Sequence, residues 1–300
     1  GFVGSGHPEA ISAALEKAFL RTGCPKDLTL VYSAGQGDGK GRGLGRFAHG
    51  GMLRKVVGGH WNWAPELGRM ALRGEIEAYN LPQGTLTQLF RAVAAGQPGV
   101  ITRTGLGTFV DPRIEGGRLN SRSREKLVEL LTLDGQEFLR YKPMHFDVAL
   151  IRATAVDRQG NLSDEREAVR LELLTMAQAV KHCGGIVIVQ VEEERERIAP
   201  RQVTVPGMLV DYVVLAEREL HRQTYATQYS PVFAGQAREK LAALPPLEPD
   251  WRRAVGRRAL MEIEDGAVIN LGIGAPEAVA KAAFEAGRSE KITLTVEAGG

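Results

Sequence analysis

Residues 1–15, GFVGSGHPEAISAAL, return near the other end of the chain as residues 269–283, INLGIGAPEAVAKAA. Gly4, Gly6, Pro8, Glu9 and Ala10 match Gly272, Gly274, Pro276, Glu277 and Ala278 at one fixed offset. Each copy leads on to a β-rich run, DLTLVYSAGQ (27–36) after the first and KITLTVEAGG (291–300) after the second. Thr29, Leu30, Ala34 and Gly35 match Thr293, Leu294, Ala298 and Gly299, with a shorter helix between loop and strand in the second copy. Ser33 therefore stands where Glu297 stands. Two distant copies of a glycine loop–helix–strand unit indicate a duplicated α/β half and not a solenoid. In the second copy the strand delivers a lone carboxylate among small residues, where another molecule can approach the backbone closely. An acid so placed suits a nucleophile or a base; the plainer alternative is a glutamate in a surface turn.

The 300 residues suggest two domains, or one large α/β domain with part of another. Hydrophobic residues at 43% and charged residues at 25% are ordinary for a globular chain. A net charge of +2 and sparse aromatics give no reason to expect nucleic acid. No apolar run reaches membrane-spanning length. Cys24 and Cys183 have neither metal spacing nor a disulfide framework; they read as packed small side chains and point to a reducing, cytoplasmic setting. The chain opens at Gly1 within a strand-to-loop junction and closes at Gly300 after the third element of the second copy. The expectation is a piece of a longer polypeptide, since about fifty residues cannot bury a core of their own.

Pro8 and Glu9 suit the first turn of a helix continuing through Ile11, Leu15 and Phe19. LTLVYSA reads as a strand, and AGQGDGKGRGLG as a mobile loop or a surface of close approach, followed by a helix through Met52 and Leu53. KVVGG, EIEAYNLP, VITRTGLG, EFLRYKP and FDVALIRATAV read as strands, and TLTQLFRAVAAG as an amphipathic helix stopped at Gly96. A long helix is expected from Glu165 to about His182, then IVIVQVE and DYVVLAE as apolar buried strands. The run Glu192–Arg197 reads as a solvated strand end. Three prolines make 244–250 the linker, giving a first domain over 1–243 and the start of a second, incomplete one over 251–300. The order of elements favours open mixed sheets covered by helices.

Asn80–Thr85, NLPQGT, holds Gln83 between Pro82 and Gly84 just before a helix. An amide there can donate to a developing oxyanion, or simply cap the helix. GSGHPE imitates a dinucleotide fingerprint, but Glu9 replaces the third glycine and would repel a pyrophosphate. GDGKGRG lacks the ending of a phosphate-binding P-loop. His7, His60, His145 and His182 show no ligand spacing, so no metal is expected. Trp61 and Trp63, beside His60, read as core packing or as a limit on a pocket.

Taken together, GFVGSGHP, PQGTL, TRTGLGT, ATAVDRQGN, VPGMLVDYVV and TVEAGG resemble the family I CoA-transferases, closest to the acetate/propionate (short-chain acyl) type. GFVGSGHP fits that family's G-F-x-x-x-G-x-P signature in full, and the other segments follow in the family's order across essentially the whole chain. The resemblance implies two related α/β domains with the active site between them, in a homo-oligomer. It implies Glu297 as the residue that attacks the acyl-CoA thioester and Gln83 as the oxyanion-hole glutamine. Where many relatives carry S-E-N-G, this chain has V-E-A-G, so no role passes to a neighbouring Ser or Asn. Contacts to coenzyme A or substrate are expected from Gly35, Gln36 and Gly37, and from Gly105 and Gly107. Gly272, Gly274, Ala298 and Gly299 complete that set. Acyl-CoA and a carboxylic acid are then the substrates, with no permanently bound cofactor. Alternatives of the same fold are a thioester hydrolase or sugar-phosphate isomerase using Glu297 as base, or a module that binds acyl-CoA without turnover.

Overall fold

A computed structural model describes residues 1–239 and 246–296, the Val296 side chain excepted. The chain divides into two compact units, Gly1–Gln236 and Ala237–Gly300.

In the first unit Glu9 opens α1 (Glu9–Thr22), with Pro8 at its N-cap, where a missing N–H costs nothing and an acid faces the positive helix end. Gly23 closes the helix in the left-handed region (φ +71°), its N–H bonded to the Phe19 carbonyl. There follow β1 (Leu28–Tyr32), β2 (Leu53–Gly58), α2 (Pro65–Leu72), β3 (Glu77–Asn80) and α3 (Gln83–Ala94). The three strands form one parallel sheet in chain order, with Leu30 opposite Val56 and Val56 opposite Ala78. Val56, Ala78 and Tyr79 are wholly buried, as parallel strands covered on both faces require. The helix expected through Met52 and Leu53 is absent. The backbone there is committed to the sheet margin, where the Leu28 N–H bonds the Met52 carbonyl and Leu53 begins β2.

An antiparallel sheet comes next, from β4 (Val100–Thr102), β5 (Val128–Leu133) and β6 (Gln136–Tyr141), in the order β4-β6-β5. The rest of the unit holds β7 (Val148–Arg152), β8 (Ala155–Asp157), β9 (Leu162–Ser163), α4 (Leu173–His182), β10 (Ile186–Val191), β11 (Glu193–Arg195) and β12 (Tyr212–Leu215). Parallel strands β12-β10-β7 form one sheet, and β11-β8-β9 a small mixed one. Phe90 and Val93 of α3 pack with Ala179 of α4 and with Phe146, tying the layers together.

Four expectations change here. The long helix begins only at Leu173, because residues 164–170 are drawn into ion pairs. These are Arg170 with Asp164, Arg152 with Glu167, Arg166 with Glu192, and Arg195 with Glu165. The last two also flank β11, where Glu193–Arg195 pair with β8 and Glu193 and Arg195 are half-buried instead of forming a solvated end. Strand β12 is not buried: Tyr212, Val213 and Leu215 are exposed on an edge strand paired only with β10. Cys24 is exposed just after α1 and packs no core.

The second unit contains α5 (Trp251–Leu260), β13 (Val268–Leu271), α6 (Glu277–Glu285) and β14 (Thr293–Val296). Asp250 caps α5 by accepting from the N–H groups of Arg252 and Arg253. Strands β13 and β14 pair in parallel around α6, a βαβ arrangement. Gly256 lets α5 approach α6, since a Cβ there would lie 2.6 Å from the Ala278 carbonyl oxygen. Its core is Leu247, Leu260, Ala278, Ala282, Ala283 and Ile292. No helix among the described residues is long and apolar enough to cross a membrane.

Candidate active site

The C-terminal ends of β1, β2 and β3 run out into the segments Ser33–Gly37, Gly59–Trp63 and Leu81–Gln83. In an open parallel sheet this edge is where ligands bind. Gly59 packs the three ends together: a Cβ on it would meet the Ser33 carbonyl oxygen at 2.1 Å and Gln83 Cγ at 2.6 Å. Gln83 is the first residue of α3, half-buried, and no side-chain hydrogen bond caps that helix. Gln83 thus lies at a positive helix end that no side chain among the described residues caps, a setting that favours developing negative charge.

Gly35 and Gly37 are glycines by close approach. A Cβ at Gly35 would lie 2.5 Å from His60 Nδ1, and one at Gly37 2.2 Å from the Trp63 carbonyl oxygen. The Gln36 side chain is buried, with Oε1 2.8 Å from His7 Nδ1. The glycine-rich loop read from the sequence as mobile or closely approached is thus the second of these from Ser33 to Gly37. Gly39, Lys40, Gly41 and Arg42 at its tip are exposed. Trp61 packs against the buried cluster that includes Tyr32, Met52, Val56 and Leu67, edge-on to Tyr32 with ring centroids 6.3 Å apart.

Gly105 and Gly107 lie in a separate turn after β4. A Cβ at Gly105 would meet Val110 and the Tyr141 hydroxyl, and the Gly107 N–H donates to Asp111 Oδ2 at 2.9 Å. Arg113, paired with Asp111, holds that carboxyl far below the usual range, so the turn is anchored by a permanent charge. In the second unit Gly274 takes a left-handed φ of +93°, and its N–H donates to Glu277 Oε1 at 3.0 Å. Among the described residues, a Cβ at Gly272 would meet Pro276 alone, at 3.9 Å. Glu297, Ala298 and Gly299 lie outside the described residues. Among the described residues no cluster of His, Cys, Asp and Glu could hold a metal ion.

A sequence model of the coenzyme A transferase family matches residues 1–216. The chain belongs to the family I CoA-transferases. It is 42% identical over 299 residues to a caffeate CoA-transferase from Acetobacterium woodii, covering 99% of this chain and 57% of that protein. It is 39% identical over 291 residues to the acetate CoA-transferase YdiF of Escherichia coli strain K12, covering 95% of this chain and 54% of that one. The crystal structure of the acyl-CoA transferase YdiF from E. coli O157:H7, a thioester complex with CoA, superimposes with a TM-score of 0.91 at 38% identity. That match covers 99% of this chain and 57% of the other. The chain thus spans a little over half the length of the curated relatives it matches.

Two groups beside this candidate site were not foreseen. Glu9 is buried, and its carboxylate accepts from the Gly43 N–H (3.0 Å), the Tyr225 hydroxyl (2.9 Å) and Arg46 Nε (2.5 Å). Burial opposes the Glu9 charge, but the Arg46 guanidinium and the Gly43 N–H outweigh it and hold the carboxyl below its usual range. Burial pushes His7 down to about 4, so it is neutral at pH 7. The spacing of Pro8 and Glu9 announced a helix start and hid this role, because Tyr225 and Arg46 are remote in sequence.

Proposed function

We propose that the protein transfers coenzyme A between a short-chain acyl-CoA and a carboxylic acid such as acetate or propionate. The observation that carries this reading is the placement of Gln83, an uncapped amide donor at a helix N-terminus on the C-terminal edge of a parallel sheet. The carboxylate of Glu297 attacks the thioester carbonyl and expels CoA thiolate, leaving a mixed anhydride. The thiolate then attacks the glutamyl carbonyl and displaces the first carboxylate, giving a glutamyl-CoA thioester. The acceptor carboxylate runs the two steps in reverse and leaves as the new acyl-CoA, with Glu297 restored. The anhydride conserves the thioester's free energy, provided water is kept out. Gln83 donates to the oxyanion formed at each attack. Contacts to the acyl group and the pantetheine arm are assigned, as the sequence resemblance implies, to Gly35, Gln36, Gly37, Gly105, Gly107, Gly272, Gly274, Ala298 and Gly299.

Likeness to a caffeate CoA-transferase favours a second reading of the acceptor, an aromatic acid in place of a short one. One assay separates these and the hydrolase alternative. Acyl-CoA consumption is followed with no acceptor, with acetate, with propionate and with caffeate, and borohydride is added to trap a glutamyl thioester. Consumption that depends on acetate or propionate, with reduction at Glu297, is expected. Equal consumption without any acceptor would overturn the transferase in favour of a hydrolase.

A further inference from the structure

The GFVGSGHPE motif supplies one side of the contacts that hold the loop after β1, opposite His60 and the Trp63 carbonyl, which accepts from the Gly39 N–H at 3.2 Å. Val3 brackets the loop, its N–H bonding the Gly35 carbonyl at 2.8 Å and its carbonyl accepting from the Gly37 N–H at 2.9 Å. His7 holds the Gln36 side chain at 2.8 Å and is itself fixed by Ser12 Oγ at 2.7 Å from Nε2. The Gln36 carbonyl accepts from the Leu44 N–H, which folds the loop back on itself. Glu9 then takes the far end, through Gly43 and Arg46, while Arg46 also reaches Glu16 on the next turns of α1. Tyr225 closes the arrangement, with its hydroxyl on Glu9 and its N–H on the Gly4 carbonyl. Gly43 must be glycine here: its φ is +64°, and a Cβ would lie 2.7 Å from the Gln36 carbonyl oxygen, the Gly37 Cα and the Tyr225 hydroxyl. One end of this loop is Ser33, whose carbonyl packs through Gly59 against Gln83.

We propose that His7, Glu9 and Tyr225 are positioning residues for the transfer reaction, clamping the Ser33–Gly43 loop from the first turn of α1 so that its backbone keeps a fixed place beside Gln83. In this assignment they act through the loop; it rests on the transferase reading above. It also gives the acid of the motif a purpose. The N–H groups of Ala10 and Ile11 at the start of α1 go to Gln190 Oε1, which leaves the Glu9 carboxylate to Gly43, Arg46 and Tyr225. Misplacement by about 1 Å is enough to cost roughly 10²-fold in rate.

The test compares the full-length protein with Glu9→Gln and Tyr225→Phe by amide hydrogen exchange, melting temperature and steady-state kinetics. In Glu9→Gln the amides of residues 36–44 should exchange at least about tenfold faster, while those of α1 and β2 keep their protection. The kcat should fall about tenfold or more, with KM for acyl-CoA within about threefold. Tyr225→Phe, which removes one hydroxyl and should fold even where Glu9→Gln does not, should show the same pattern at smaller amplitude. Loop exchange equal to wild type in both variants would overturn the clamp. So would loop, α1 and β2 loosening together, which marks a general structural role. Should the wild type transfer no CoA, the transferase reading falls, and the exchange data alone decide whether the clamp exists.

Discussion

The two copies of the glycine loop–helix–strand unit start alike and end differently. In each, a proline caps the helix and a glutamate is its first residue, Glu9 in α1 and Glu277 in α6. In each, the second glycine takes a left-handed φ, +68° at Gly6 and +93° at Gly274. Beyond that the environments part. Glu9 is buried and accepts from Gly43, Arg46 and Tyr225, whereas Glu277 is exposed and accepts from the Gly274 N–H. His7, bonded to Gln36 and Ser12, has Ala275 as its counterpart. The same backbone device therefore serves as a lock in one copy and as a simple helix start in the other. What surrounds a motif, more than the motif itself, sets the work its acid does.

The sharpest way to break this comparison is at the aligned strand ends. Glu297→Ala should lower CoA transfer by about 10³-fold or more, because the covalent route is lost. Ser33→Ala, at the matching place in the first copy, should stay within about threefold of wild type. Initial rates of acyl exchange decide it: comparable losses in the two variants would mean that the reacting group is not confined to the second copy.

Gln83 comes next in size. It belongs to the first copy's sheet, and losing one oxyanion donor typically costs about 3 kcal/mol of transition-state stabilisation, or roughly 10²-fold in kcat. Gln83→Ala should show that loss in kcat with a melting temperature near wild type. A drop in melting temperature with kcat unchanged would make Gln83 part of the fold's packing alone.

How far the sequence could foretell these sites depends on the reach of each interaction. Local signals read well. Pro8 and Glu9 mark the start of α1, the apolar run at Ile186–Val191 becomes β10, and Gln83 opens α3. The repeat itself exposed the matching βα order. Interactions between distant residues did not read. The helix expected from Glu165 starts at Leu173 because Glu165, Arg166 and Glu167 find Arg195, Glu192 and Arg152, partners on other strands. Strand composition at Tyr212–Leu215 promised burial, but its position at a sheet edge exposes it. The clamp on Glu9 needs Tyr225, more than two hundred residues along the chain, and no spacing rule connects the two.

The smallest effect, and the one most specific to the first copy, concerns acid. His7 is lowered to about 4 from the usual 6.5 because it is buried, with Gln36 opposing that shift only in part. The unfolded chain takes up this proton as pH falls through 6.5, while the folded one resists it until about 4. Its contribution is therefore complete above about pH 6.5 and is lost on acidification toward 4. At pH 5 the first unit should be about 2 kcal/mol less stable than at pH 7 on this account. The lowered carboxyl of Glu9 adds its own loss only at more acid pH. Ala275 gives the second unit no such term. Urea unfolding at pH 7 and pH 5, read by exchange at α1 and at α6, should show the fall at α1. His7→Asn, which keeps a donor for Gln36 but does not titrate, should flatten it there. An unchanged pH slope at α1 in that variant would assign the acid sensitivity to other groups and leave His7 as packing.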